Sequence, residues 1–156
     1  MTPVHQELLK ELRDFARNAS TAQVLMEHIA KRLHEKMTRY NWVGFYLVDP
    51  ADANYLMVGP FTGSFTPNVR FAVNVGLCGA AAITGQVVVV PDVSADPRYL
   101  PGSSLVKSEI VVPIFADKKL VAELDIESYF VDAFPFAERV FVESCAKVVA
   151  DYLGKT

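Results

Sequence analysis

The chain has 156 residues, 51% of them hydrophobic and 21% charged, with a formal net charge of −3. That is a globular composition and excludes disorder as the default; a chain of this length hides roughly 70% of its unfolded surface and needs no staples. The mild acidity and scattered basic residues argue against nucleic acid and anionic membranes as partners. Two cysteines, Cys78 and Cys145, are too few for a disulfide framework. The opening Met-Thr-Pro-Val-His-Gln-Glu lacks an apolar signal core, and no apolar run approaches the roughly 20 residues of a membrane helix. The expectation is a cytoplasmic, soluble chain with free thiols, folded as one domain over 1–156.

A helical segment occupies 2–40. Over 3–18, Val4, Leu8, Leu12, Phe15 and Ala19 recur at helical spacing. Ser20-Thr21-Ala22-Gln23 then has the capping-box pattern, so Ser20 is expected to open a second helix. Leu25, Ile29, Leu33 and Met37 form its stripe, and Asn41 is the expected stop. From 41 to 130 the period is two. Strands are expected over 42–48, 55–58, 69–73, 87–90, 108–115 and 120–128. A short helix is expected over 76–84 and a long loop over 91–107. A closing helix lies within 134–154, with Pro135 in its first turn. Short turns between successive strands imply an α+β fold with an antiparallel sheet. The terminal helices cover one face, and the loops with the short helix close a pocket on the other.

The most informative stretch is Leu120-Val121-Ala122-Glu123-Leu124-Asp125-Ile126-Glu127. Alternation puts Glu123, Asp125 and Glu127 on one face, with successive carboxylates about 7 Å apart. Two readings fit: a solvated outer face or an acidic pocket wall. Val43, Phe45 and Leu47 belong against the helices, which turns Trp42 and Tyr46 toward the carboxylates. The same parity turns Glu109 toward the pocket. Aromatic faces and carboxylates both attract a cation, so the group suits an ammonium with an apolar tail. Without such a partner, at least one carboxyl is expected to have a raised pKa. Glu109 and Asp125 share a face only if the hairpin near Asp117 has a three-residue loop or one bulge.

Gly76-Leu77-Cys78-Gly79 opens the short helix. Its free amide protons can hold a carboxylate, and Cys78 there is expected either to have a lowered pKa or to be a small core residue. Cys145 lies on the apolar side of the last helix. His5, His28 and His34 show no metal-ligand spacing, so no metal and no cofactor are expected. Ser103-Ser104 has no nucleophile-elbow glycines, and there is no phosphate loop.

Five motifs occur in order: Asn41-Trp42-Val43-Gly44-Phe45-Tyr46-Leu47, Gly59-Pro60-Phe61-Thr62-Gly63, Gly76-Leu77-Cys78-Gly79, Ser108-Glu109-Ile110-Val111-Val112-Pro113 and Leu124-Asp125-Ile126-Glu127-Ser128. Over about residues 5–153 the chain resembles the free methionine-R-sulfoxide reductases, which are single-domain GAF proteins. The resemblance implies a GAF/PAS-like fold with a six-stranded antiparallel sheet, usually a homodimer, and an enclosed pocket for free methionine sulfoxide. Trp42 and Tyr46 match its aromatic wall. Glu109, Asp125 and Glu127 match its acidic contacts, Glu127 standing where an aspartate is usual. The family's nucleophilic cysteine falls at Gly102 and its usual resolving cysteine near Pro67-Asn68. Only Cys78 matches a family cysteine, one with an auxiliary role. Sulfoxide reduction needs a thiolate attack on sulfur and a second thiol to release it as a disulfide.

Three functions follow as expectations. The first is a non-catalytic GAF sensor or carrier that binds a free amino-acid-like zwitterion, methionine sulfoxide or a related molecule, through Trp42, Tyr46, Cys78, Glu109, Asp125 and Glu127. The second is a reductase working weakly through Cys78 and an external thiol. The third is a structural dimerisation module.

Overall fold

In the computed structural model, which describes residues 1–155, two capped helices lead the chain. Helix α1 (Pro3–Asn18) starts at Thr2. The Thr2 hydroxyl accepts the His5 amide at 3.2 Å, and the Thr2 amide donates to His5 Nδ1 at 3.1 Å. Histidine thus fills the place that Glu or Gln takes in the usual capping box. Leu8, Leu9 and Leu12 are the buried stripe, whereas Val4 is exposed. Helix α2 (Ala22–Lys36) is capped by Thr21, not Ser20. Thr21 is the residue in extended conformation directly before the first turn, and its hydroxyl accepts the Val24 amide at 3.1 Å. The helix stops at Met37, well before Asn41. The Asn41 side chain instead accepts the Tyr129 amide at 2.8 Å.

Six strands follow: β1 (Trp42–Val48), β2 (Tyr55–Gly63), β3 (Arg70–Ala72), β4 (Val88–Val90), β5 (Ser108–Ala116) and β6 (Lys119–Ser128). They form one sheet in the order β3-β2-β1-β6-β5-β4, and every pair is antiparallel. β2 continues beyond the expected break at Gly59-Pro60. The pairing shifts there, so that Gly59 and Pro60 together oppose Phe45. A bulge is where a strand tolerates a proline that cannot donate to the ladder. Helix α3 (Gly76–Thr84) lies between β3 and β4 in sequence, and α4 (Phe136–Gly154) closes the chain, with Pro135 as its cap rather than in its first turn.

Alternation splits the sheet into two faces. Val43, Phe45, Ile110, Ile114, Leu124 and Ile126 pack against α1, α2 and α4 in the main core, which also takes Cys145. Trp42, Tyr46, Val111, Leu77 and Cys78 form a second cluster on the opposite face, under α3. Among the described residues, no helix is long and apolar enough to cross a membrane.

The β5–β6 hairpin fixes which carboxylates meet. Ile114 pairs with Ala122 and Phe115 with Leu120, leaving Val121 as an extra residue. That single bulge supplies the required register: Glu109 opposes Glu127, and Val111 opposes Asp125. The turn itself places Asp117 and Lys118 at φ of 51° and 63°. Two consecutive left-handed residues make the tight hairpin turn for which Asp-Gly is preferred. Lys118→Gly should therefore raise unfolding stability by about 0.5–1 kcal/mol, measured by urea denaturation, because it relieves a left-handed side-chain penalty.

Candidate functional site

The acidic row of β6 is an interior surface. Glu123, Asp125 and Glu127 are 0%, 2% and 5% exposed, and Glu109 of β5 is 5% exposed. The solvated-face reading is thereby excluded. Across the β1–β6 ladder, Trp42 opposes Glu127, Gly44 opposes Asp125 and Tyr46 opposes Glu123. The aromatics therefore stand beside the carboxyls, as parity requires.

Two glycines explain how Trp42 sits. A Cβ at Gly44 would lie 2.4 Å from the Trp42 ring, and so would one at Gly63, which pairs with Trp42 across β1–β2. The indole thus lies flat on a strip of sheet without side chains. It stacks with Tyr46, Phe61 and Phe65 at centroid distances of 5.8, 5.6 and 5.8 Å. It forms the buried floor of the site and does not line the cavity directly.

The cover comes from the start of α3 and from loops. Tyr46, Asn68, Phe71, Gly76, Cys78 and Leu100 join Glu109, Asp125 and Glu127 around a narrow cavity of about 20 Å³, room for about one water or one ion. An outer groove of about 500 Å³ runs along Ala80, Ile83, Pro97 and Tyr99, and shares Val75, Gly76 and Leu100 with it as a common wall. No side chain caps α3, and its first backbone bond runs from the Gly79 amide to Val75. Gly79 is demanded by packing, since a Cβ there would meet the Asn74 backbone at 2.5 Å. A separate hollow of about 290 Å³ between α1 and α4, beside Arg13, Arg17, Lys147 and Asp151, has no convergent buried polar groups.

The electrostatics of the cluster follow from burial. Desolvation, and then the charge of Asp125, hold Glu109 and Glu127 well above the usual carboxyl range. Burial and Asp125 likewise push Glu123 up to about 9. Asp125 is raised less, to about 6, because hydrogen bonding from Glu109 and the Cys78 thiol offsets part of its desolvation. Burial thus raises both carboxyls of this pair, Glu109 more than Asp125. Even so, Asp125 Oδ1 and Trp42 Nε1 are buried with no hydrogen-bond partner among the described residues. Cys78 does not have the lowered pKa that its place at a helix start suggests. Complete burial and four neighbouring carboxyl groups raise it well above the ordinary thiol value and outweigh the helix terminus.

A GAF domain family model matches residues 21–153. The chain belongs to the GAF domain family. It is 35% identical over 134 residues to the free methionine-R-sulfoxide reductase of Saccharomyces cerevisiae, an alignment covering 85% of this chain and 72% of that protein. It is 28% identical over 153 residues to the free methionine-R-sulfoxide reductase of Escherichia coli, covering 96% and 90%. The free methionine-R-sulfoxide reductase of Neisseria meningitidis, solved in complex with its substrate, superposes with a TM-score of 0.89 at 32% identity, covering 96% of this chain and 87% of that one.

In this GAF domain, the position expected to carry a nucleophilic cysteine borders the acidic cluster. A Cβ on Gly102 would stand 3.7 Å from Glu127 Oε2 and 3.0 Å from the edge of the Phe65 ring. The position expected to carry a resolving cysteine is also local, since Asn68 lines the cavity. Cys145 is buried in the core on the other sheet face. Sequence reasoning placed Glu123 on the acidic row but left it out of the binding set; its pairing with Tyr46 follows from the same parity. Tyr99 and Leu100 lie in an aperiodic loop that carries no such signal.

The four carboxyls also make the stability of this GAF domain depend on pH. A carboxyl raised on folding contributes stability that is complete below its unfolded pKa and is lost as pH rises toward the folded value. For Glu123 that window runs from 4.5 to about 9. Thermal unfolding followed from pH 5 to pH 8.5 should show a falling midpoint. Glu123→Gln should recover about 1–3 kcal/mol of that loss near pH 8, at roughly 1.4 kcal/mol per pKa unit.

Proposed function

We propose that this GAF protein is a receptor for a free amino-acid-like zwitterion and that it does not efficiently reduce methionine-R-sulfoxide. The observation that carries the reading is the pairing of a buried anionic oxygen, Asp125 Oδ1, with the uncapped start of α3 across one cavity. An ammonium group would sit on Asp125, and the Glu109 and Glu127 carboxyls would accept its remaining protons. A carboxylate would take the amides at Gly76–Cys78. The side chain would lie toward Tyr46 and the Trp42 floor, where Trp42 Nε1, buried without a partner, would become a donor to an oxygen on that chain once the cover moves.

An amino acid exceeds the present cavity, so binding requires the cover to move. Three of the ties around the cavity mouth are long: Tyr99 to Glu127, the Gly102 amide to Tyr99, and Asn68 to Pro101, all at 3.5 Å. Contacts of that length are weak. Displacing Leu100 would open the cavity into the outer groove. In calorimetry, Asp125→Asn should weaken zwitterion binding by roughly 1–3 kcal/mol, through loss of a charge-assisted bond. Unchanged affinity in Asp125→Asn, or no binding by methionine, methionine sulfoxide and related amino acids, would reject this reading.

A second reading, reduction through Cys78 with an external thiol, is favoured by the identity to named reductases. The burial and raised pKa of Cys78 count against it, because the thiolate is the nucleophile. Turnover of the R epimer of free methionine sulfoxide with dithiothreitol decides between them. The natural protein should give no turnover above background, and Gly102→Cys should gain it, since the new sulfur would project beside Glu127. Turnover by the natural protein that is lost in Cys78→Ser would establish the second reading.

A further inference from the structure

The sequence offers no local metal-ligand spacing, but folding brings together three donors that are far apart in the chain. Cys78 Sγ and one oxygen each from Glu109 and Asp125 all lie within 4.8 Å of one another, and all three residues are buried. From these positions we infer that Cys78, Glu109 and Asp125 form a binding site for a divalent transition-metal ion, with Zn²⁺ as the best-matched ion. Two observations carry this independently. The first is geometric. Three points no more than 4.8 Å apart surround a centre at about 2.8 Å or less (4.8/√3). Zinc bonds to sulfur at about 2.3 Å and to carboxylate oxygen at about 2.0–2.2 Å. Small side-chain rotations close that difference. The second is the Asp125 Oδ1 atom, which is buried and has no partner among the described residues, on a residue that lines the cavity. A buried anionic oxygen without a donor is costly, and a cation satisfies it.

The donor set selects the ion. Calcium and magnesium take all-oxygen shells, and copper(I) prefers thiolate and thioether ligands. One sulfur with two carboxylate oxygens suits zinc, and three protein ligands leave a fourth position facing the cavity. Binding would release the protons held by Cys78 and Glu109 to solvent. The resulting thiolate and two carboxylates give three negative charges against two positive. This inference goes beyond the zwitterion reading and does not depend on it, because zwitterion binding can be measured in the presence of a chelator.

The test uses the whole chain, stripped with a chelator and titrated with Co²⁺ and Zn²⁺. The expected result is one Co²⁺ per chain with a thiolate-to-cobalt charge-transfer band in the near ultraviolet. The band should vanish in Cys78→Ser and persist in Cys145→Ala. Asp125→Asn should weaken Co²⁺ binding about tenfold or more. Zn²⁺ should raise the thermal unfolding midpoint of the natural protein and not that of Asp125→Asn, whose fold is checked by circular dichroism. Should Cys78→Ser or Cys145→Ala not fold, the Asp125→Asn titration carries the test. Sub-stoichiometric binding, Co²⁺ bound without the sulfur band, a band unchanged in Cys78→Ser, or undiminished affinity in Asp125→Asn would overturn the inference.

Discussion

Four carboxyl groups buried on one face of β5 and β6 set the conditions for the rest of this molecule. Carboxyls in a low-dielectric site are tolerated only if they stay protonated, share protons or meet a cation. Here Glu109, Glu123 and Glu127 follow the first course, and Glu109 shares its proton with Asp125. The arrangement costs stability that an ordinary apolar core would not lose. A cation at the cluster would offset that cost.

The aromatic floor and the acidic wall depend on each other through the β1–β6 ladder. Gly44 and Gly63 leave the strip on which the Trp42 indole lies, and the flat indole keeps water away from the carboxyls opposite. Exclusion of water strengthens every charge interaction inside the site. The opposite sheet face has a different task. There Val43, Phe45, Leu124 and Ile126 bind the sheet to three helices in an apolar core, which holds the strands in register while the cover on the site side stays weakly tied. Rigidity on one face and long, weak contacts on the other divide stability from access.

Much of this was legible in the sequence, for reasons that differ by element. The strands over 42–48 and 108–128 alternate so regularly that their faces, and hence the company of Trp42, Tyr46, Glu109, Asp125 and Glu127, follow from parity alone. The requirement for a three-residue loop or a bulge in the β5–β6 hairpin follows too, and the structure uses the bulge. Helix ends were less legible. Ser20 and Thr21 are chemically alike as caps, and only the backbone decides which stands before the first turn. Asn41 looked like a helix stop because asparagine tolerates such positions. Its side chain is instead engaged with Tyr129 across the molecule, a contact that no local pattern contains.

By itself, the sequence determined the order of elements, the two faces of the sheet and the residue types gathered on each, because period-two alternation acts locally and holds between the bulges. It also determined that Gly102 carries no sulfur. Tertiary structure alone decided how deeply the acidic row is buried, since that depends on α3 and the segments at 64–75 and 97–105 folding over it. It decided between the two expectations for Cys78 in favour of the buried core residue: a helix start lowers a thiol pKa by itself, but burial among four carboxyls outweighs it. It also brought Cys78 to Glu109 and Asp125, residues separated by 31 and 47 positions (109 − 78 and 125 − 78). Proximity across such separations comes from packing one element on another, and no spacing along the chain encodes it.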